Sequence, residues 1–214
     1  MSMLICFVLK EEAAPFRKMA AESGISIFIT GIGRQNAEKS VRELLATNSP
    51  ELVLTCGFAG GLNPDLKLGE VVFELSDLEI RNPQSAIHNR LLAAGAKPAK
   101  FFCADRIVTT VAEKVELRRT TGADAVEMES AVIHAACRER GIPCVTVRVI
   151  SDTANEDLAL DFNALAKSDK NLDFGKLFLA VAKSPGKIGE LIQLQKKTNF
   201  AAEQLAGVLA KIIR

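Results

Sequence analysis

The sequence predicts an α/β fold, a three-layer α/β/α sandwich around a central mixed, mainly parallel sheet. Three observations carry that expectation. Through the first half, short β-branched or apolar runs alternate with amphipathic stretches. Strand-like sequence stops near Phe162, leaving helical sequence to the end. At 214 residues the chain is long enough for one sizeable core, and no Gly/Pro/Ser-rich linker divides it. Residues 1–214 therefore read as a single domain with an extra helical segment from about residue 186.

The elements follow in order. Met3 to Leu9 is a strand, Glu11 to Ser23 a helix, Ile25 to Thr30 a strand, Gln35 to Thr47 a helix and Leu52 to Cys56 a strand. Val71 to Leu75, Phe101 to Ala104 and Pro143 to Ile150 are further strands, the last being the clearest of the second half. Two helical stretches follow, broken at Ser184-Pro185-Gly186. The apolar run Ala201 to Ile213 is suited either to finishing the core or to an oligomer contact.

Composition excludes several function classes. With 27 Lys plus Arg against 26 Asp plus Glu, the net charge of +1 gives no field that would gather nucleic acid or anionic lipid. The first ten residues hold one strand's worth of apolar sequence and run into Glu11 and Glu12, without the pattern of a signal peptide or membrane span. Five cysteines without C-x-x-C spacing read as reduced thiols of a cytoplasmic protein. The two histidines, His88 and His134, lack partners at metal-ligand spacing, so neither metal nor cofactor is expected.

In parallel sheets ligands settle at the carboxyl ends of strands, and four segments there carry unusual residues. Lys10-Glu11-Glu12 follows the first strand and opens a helix, where acidic residues also suit the helix dipole. Gly57-Phe58-Ala59-Gly60-Gly61-Leu62 reads as a glycine-rich loop after the Leu52–Cys56 strand, and it matches neither the dinucleotide nor the triphosphate loop pattern. Gly31-Ile32-Gly33-Arg34 is a weaker relative, its arginine more often solvated than anion-binding. In Val126-Glu127-Met128-Glu129-Ser130, two carboxylates interrupt apolar sequence. Their desolvation demands a partner or a ligand, and a carboxylate suits the paired hydroxyls of a ribose. Ile150-Ser151-Asp152 ends the clearest strand, where an aspartate serves equally as a turn cap or an acid.

In this order and spacing these segments, with Gly69-Glu70-Val71-Val72 and Val147-Arg148-Val149, resemble the nucleoside phosphorylase superfamily of purine and uridine phosphorylases and methylthioadenosine/S-adenosylhomocysteine nucleosidases. The resemblance covers about residues 2 to 182. It implies a phosphorylase/hydrolase-like fold and a small-molecule purine nucleoside as ligand, with a homodimer or higher homo-oligomer as the assembly. It implies that Asp152 protonates the purine, that Glu129 binds the ribose with Met128 against the sugar and Glu127 in support, and that Glu12 activates water. Gly57, Phe58, Ala59 and Ser151 fall in substrate-binding segments, Ile107 in a turn at 105 to 108 that reads the purine edge, and Phe162 where an aromatic packs on the nucleoside.

Hydrolysis is preferred over phosphorolysis, because Phe58 stands where phosphorylases have a phosphate-holding serine and Thr55 where one of their arginines sits. The stretch from about Ser76 to Lys100 is shorter than in typical nucleosidases, and together with the Asp105-Arg106 turn and the tail after Pro185 it looks like the hopanoid-associated members. The expected function is thus a nucleosidase for an adenine or purine nucleoside or a 5′-substituted adenosine. The alternatives are a purine nucleoside phosphorylase and a non-catalytic nucleoside-binding protein on the same fold.

Overall fold

The computed structural model describes residues 2–20, 24–76, 86–158 and 188–213. In chain order the strands are β1 (Met3–Phe7), β2 (Ser26–Ile29), β3 (Leu52–Gly61), β4 (Val71–Leu75), β5 (Lys97–Pro98), β6 (Phe101–Cys103), β7 (Ala125–Glu127) and β8 (Cys144–Asp152). The helices are α1 (Lys10–Met19), α2 (Arg34–Thr47), α3 (Ala86–Ala94), α4 (Val111–Thr121), α5 (Ser130–Glu139) and α6 (Ile188–Ile212).

The sheet runs β2-β1-β3-β8-β4-β5, with β7 and β6 attached at the far end of β3. β1, β2, β3 and β8 are parallel, and β4 runs antiparallel to β8. The central strands are buried on both faces and are accordingly almost continuous runs of apolar residues. One face packs on α1, α3 and α6 through Phe7, Phe16, Leu54, Phe73, Leu91, Val147, Leu205 and Leu209. The other packs on α2 and α5 through Cys6, Val41, Leu45, Val53, Ile133 and Cys137. The apolar stripe of α6, with Ala201, Leu205, Leu209 and Ile212 at most 1% exposed, completes the first of these cores.

One element differs from the sequence expectation. The Gly57–Leu62 segment is not a loop: β3 continues through it to Gly61, paired with β8 on one side and β7 on the other. Glycine is disfavoured in strands, and here its absence of a side chain is what the neighbours require. A Cβ on Gly57 would lie 3.1 Å from both carboxylate oxygens of Glu12, and one on Gly60 would lie 3.2 Å from Asp152 Oδ2. The Val126–Ser130 segment changes from strand to helix within itself, so that Glu127 ends β7 and Glu129 caps α5. Of the two predicted C-terminal helical stretches, the first lies outside the described residues.

Among the described residues the sheet interior holds one guanidinium. Arg148, in the middle of β8, is fully buried. Its Nη2 donates to Glu127 Oε2 at 2.8 Å and to Thr55 Oγ1 at 3.2 Å. Breaking a buried ion pair from one side leaves a charge without compensation. Arg148→Met is therefore expected to destabilise the fold by roughly 3–5 kcal/mol, measured by urea unfolding. Arg148→Met combined with Glu127→Met should recover part of that loss. Additive losses in the double variant would show that the pair is not coupled.

Candidate active site

The site arises where the sheet forks. β1 pairs with β3 only as far as Phe7 opposite Cys56, while β7 pairs with β3 at Gly60 and Gly61. Between these attachments the edge of β3 around Gly57 and Phe58 is left open beyond the carboxyl end of β1, the place where α/β sheets collect ligands. A cleft occupies it, walled by Val8, Glu12, Phe58, Glu129 and Asp152 among others. On the opposite side the β3–β8 register shifts after Ala59, which faces Ile150, so that Gly60 faces Asp152 and Ser151 is the extra residue. Neighbours on a regular strand point to opposite faces, and this bulge lets Ser151 and Asp152 both line the cleft.

Glu12 reaches the cleft from the first turn of α1. Its Oε2 accepts from Leu9 N–H at 2.9 Å, satisfying one of the helix's unpaired amides, and its Oε1 accepts from Phe58 N–H at 2.9 Å. The electrostatic role of acidic groups at a helix start and a position in the cleft are thus combined in one residue. Burial pushes its carboxyl up to about 7, against the opposing pull of those two amides and of Arg148. A carboxyl with that value is half ionised near neutral pH, as a general base requires.

Glu127 and Glu129 divide the work expected of them together. Glu127 is engaged on every side: Oε2 takes Arg148 and the N–H groups of Glu129 and Ser130, and Oε1 takes the Ser130 hydroxyl at 2.6 Å. Burial alone would raise its carboxyl, but Arg148 and Ser130 hold it below the usual range. Glu129 Oε1 accepts from Gly33 N–H at 2.9 Å. Its carboxyl is raised, first by burial and then by Glu127, with Arg148 acting in the other direction. The expected support from Glu127 to a sugar is therefore indirect, since its oxygens are committed to Arg148 and to the start of α5. Glu129 is the less encumbered of the two.

Asp152 accepts from Ser151 Oγ through Oδ1 at 2.8 Å and from Lys114 Nζ through Oδ2 at 2.6 Å. Burial raises its carboxyl, and the ammonium and the hydroxyl counteract that.

The structure gathers Glu12, Phe58, Ala59, Ile107, Glu127, Met128, Glu129, Ser151 and Asp152 around one cleft, although they come from five separate segments. Gly57 stands behind the Glu12 carboxylate without lining the cleft. Phe162 lies outside the described residues. Arg34 ties the 105 turn through the Asp105 carboxylate (Oδ1) and Cys103 O, each at 2.8 Å. Of the histidines, His88 packs edge-on against Phe73 and His134 bonds the Thr146 hydroxyl. Lys114 is unmarked in the sequence, Arg148 enters there only within a motif and without a role, and Leu194 and Thr198 of α6, which line the cleft, have no cleft role assigned from sequence. Arg148 carried a signal, since a charge inside the most apolar strand requires a buried partner.

This fork sets the carboxylates of Glu12, Glu129 and Asp152 around one cleft of an α/β sheet. The sequence profile of the phosphorylase superfamily matches residues 15–88 and 85–183, and the chain belongs to that family. A 5′-methylthioadenosine/S-adenosylhomocysteine nucleosidase of Shewanella piezotolerans is 26% identical over 171 residues, 66% of this chain and 74% of the relative. One of Glaesserella parasuis is 28% identical over 166 residues, 65% and 72% of the two chains. In fold the chain is similar to the nucleosidase of Neisseria meningitidis solved with methylthio-immucillin-A (TM-score 0.70, 20% identity, 100% and 99% of the chains covered). It is equally similar to the futalosine hydrolase of Helicobacter pylori (TM-score 0.70, 17% identity, 99% and 96% covered).

Two measurements follow from the geometry. If Glu12 must be ionised to act, kcat/KM rises with pH and levels off above about 7; a limb turning at an ordinary carboxylate value, near 4.5, would exclude Glu12 as that group. Gly57→Ala places a methyl against a carboxylate already fixed by two amides, so kcat should fall on the order of 10²-fold while the circular dichroism spectrum is unchanged. An unaltered kcat would mean that the position of Glu12 is immaterial to turnover.

Proposed function

We propose that the chain is a nucleosidase that hydrolyses the N-glycosidic bond of an adenine or other purine nucleoside, including 5′-substituted adenosines. The observation that carries this is the placement of Glu12 and Asp152 in one cleft: a buried carboxyl pushed up to about 7 and a second one also raised, with Glu129 between them in sequence order. Glycosidic cleavage passes through an oxocarbenium-like state that needs a proton donor for the leaving group and an activated nucleophile for the sugar. Asp152 delivers the proton to the purine, and the electron pair of the breaking bond leaves with the base. Glu12 takes a proton from the attacking water. Glu129 accepts hydrogen bonds from the ribose hydroxyls, and its negative charge steadies the cationic sugar. Met128 and Phe58 supply apolar contact to the sugar and base.

Water is favoured over phosphate on electrostatic grounds. Among the described residues lining the cleft the carboxylates are Glu12, Glu127, Glu129 and Asp152, while the one basic side chain, Arg106, is paired with Glu113 at 2.6 Å. A phosphate dianion would enter a negative site without a free cation to receive it. Val8, Leu158 and Leu194 make the remaining wall apolar, which suits a hydrophobic 5′ substituent. No helix among the described residues is long and apolar enough to cross a membrane. The same reading takes the protein to be cytoplasmic and a homodimer or higher homo-oligomer, the latter open to a sizing measurement.

The test is adenine or hypoxanthine release from adenosine, methylthioadenosine, S-adenosylhomocysteine and inosine, with and without phosphate. Free sugar at equal rates in both conditions is expected. Release that requires phosphate and yields the sugar 1-phosphate would establish the phosphorylase alternative. Binding of all four without release would establish the nucleoside-binding one. Asp152→Asn should lower kcat by about 10²–10⁴-fold and leave nucleoside binding measurable by calorimetry.

A further inference from the structure

Helix α4 is unusual in what it buries. Its sequence, VAEKVELRRTT, reads as a solvated helix, and the only one of its residues that is buried is Lys114. Val115 on the same helix is 58% exposed. The Lys114 side chain has no exposure at all, and Nζ donates to Asp152 Oδ2 at 2.6 Å, Thr153 O at 2.7 Å and Glu156 O at 2.9 Å. Three acceptors match the three N–H groups of an ammonium, whereas a neutral amine has only two. The position is over-determined. Val111 N–H donates to Asp157 Oδ1 at 2.6 Å and Leu158 N–H to Thr109 O at 2.7 Å, fastening the start of α4 to the segment that follows Asp152. A helix that needed only an anchor would be held as well by an apolar side chain, without the desolvation of a charge.

We propose that Lys114 is a positioning residue for the proton-donating step, its ammonium standing behind Asp152 as the counter-charge for the carboxylate that remains once the purine has taken the proton. This rests on the nucleosidase reading above. As the proton passes from Asp152 to the base, the glycosidic electron pair goes to the base. The new carboxylate is then met by Lys114 at Oδ2 and Ser151 at Oδ1. Asp152 regains a proton from solvent after the base departs, and Glu12 releases to solvent the one it took from water. Other charged groups near Asp152 are compensated: Glu156 by Lys197 of α6, Arg106 by Glu113, and Glu127 by Arg148. Glu12 and Glu129 line the same cleft. Burial makes Asp152 hold its proton and Lys114 favours giving it up, so the two together produce an acid that is charged at the right stage.

The test compares Lys114→Met and Lys114→Arg on two kinds of riboside: methylthioadenosine or adenosine, whose base needs a proton to leave, and 4-nitrophenyl β-ribofuranoside, whose nitrophenolate does not. With Lys114→Met, kcat on the nucleoside should fall on the order of 10²-fold with KM little changed, while nitrophenyl riboside turnover stays within a few-fold of wild type. The alkaline limb of kcat, set by loss of the Asp152 proton, should move to higher pH, because removing the ammonium removes what lowers that carboxyl. Lys114→Arg, which keeps the charge, should restore much of the nucleoside rate and return the limb. Equal loss of both substrates in Lys114→Met, or a limb that does not move, would assign Lys114 to the fold alone. Absence of adenine release by the wild type would remove the nucleosidase reading and this proposal with it.

Discussion

One guanidinium under the cleft is the constraint on which the rest of the site depends. Arg148 is enclosed in the sheet, and three carboxylates sense it: Glu127 in contact, Glu129 and Glu12 through space. Burial works against its charge, and these carboxylates more than offset that, keeping the guanidinium firmly protonated. The dependence is mutual. Without a cation below them, acidic groups so close together would either take up protons or open the structure to water. With it, Glu127 stays ionised while Glu12 and Glu129 sit nearer the point of protonation. Among the described residues, the buried side-chain nitrogens without a partner are Nε and Nη1 of the same arginine.

Backbone irregularity supplies the remaining geometry. An unbroken β3–β8 ladder would turn Ser151 away from Asp152, and a β3 with side chains at Gly57 and Gly60 would push on the Glu12 and Asp152 carboxylates. Strand pairing and chemistry therefore compete for the same backbone at this point. Bulge and glycines settle the competition by letting the ladder continue while two acids approach it closely.

Much of this was legible in the sequence, because the signals were local. Alternation of strand and helix patterns located β1, α1, β2, α2 and β8 to within a few residues, and the acidic and glycine-rich segments pointed to the cleft. What escaped was non-local or disguised. The Gly57–Leu62 segment looks like a loop because glycine is poor in strands, and the reason for its glycines lies on Glu12, 45 residues earlier, and on Asp152 far downstream. Lys114 sits among charges of the kind that cover solvated helices, and its partner is 38 residues away. Arg148 is a charge inside an apolar strand, and only the fold says which of many acids answers it. The α6 residues that line the cleft carry no chemical signature at all.

Helix α6 joins two roles that are usually separate: Leu205 and Leu209 seal the main core, while Leu194 and Thr198 of the same helix form cleft wall and Lys197 holds Glu156 beside the Lys114 turn. All the sheet strands precede it in the chain. In chain order, then, the segments that carry the cleft carboxylates come before the helix that completes the cleft wall. Core closure and cleft wall are thereby tied to one segment, so a change that loosens α6 is felt in both at once.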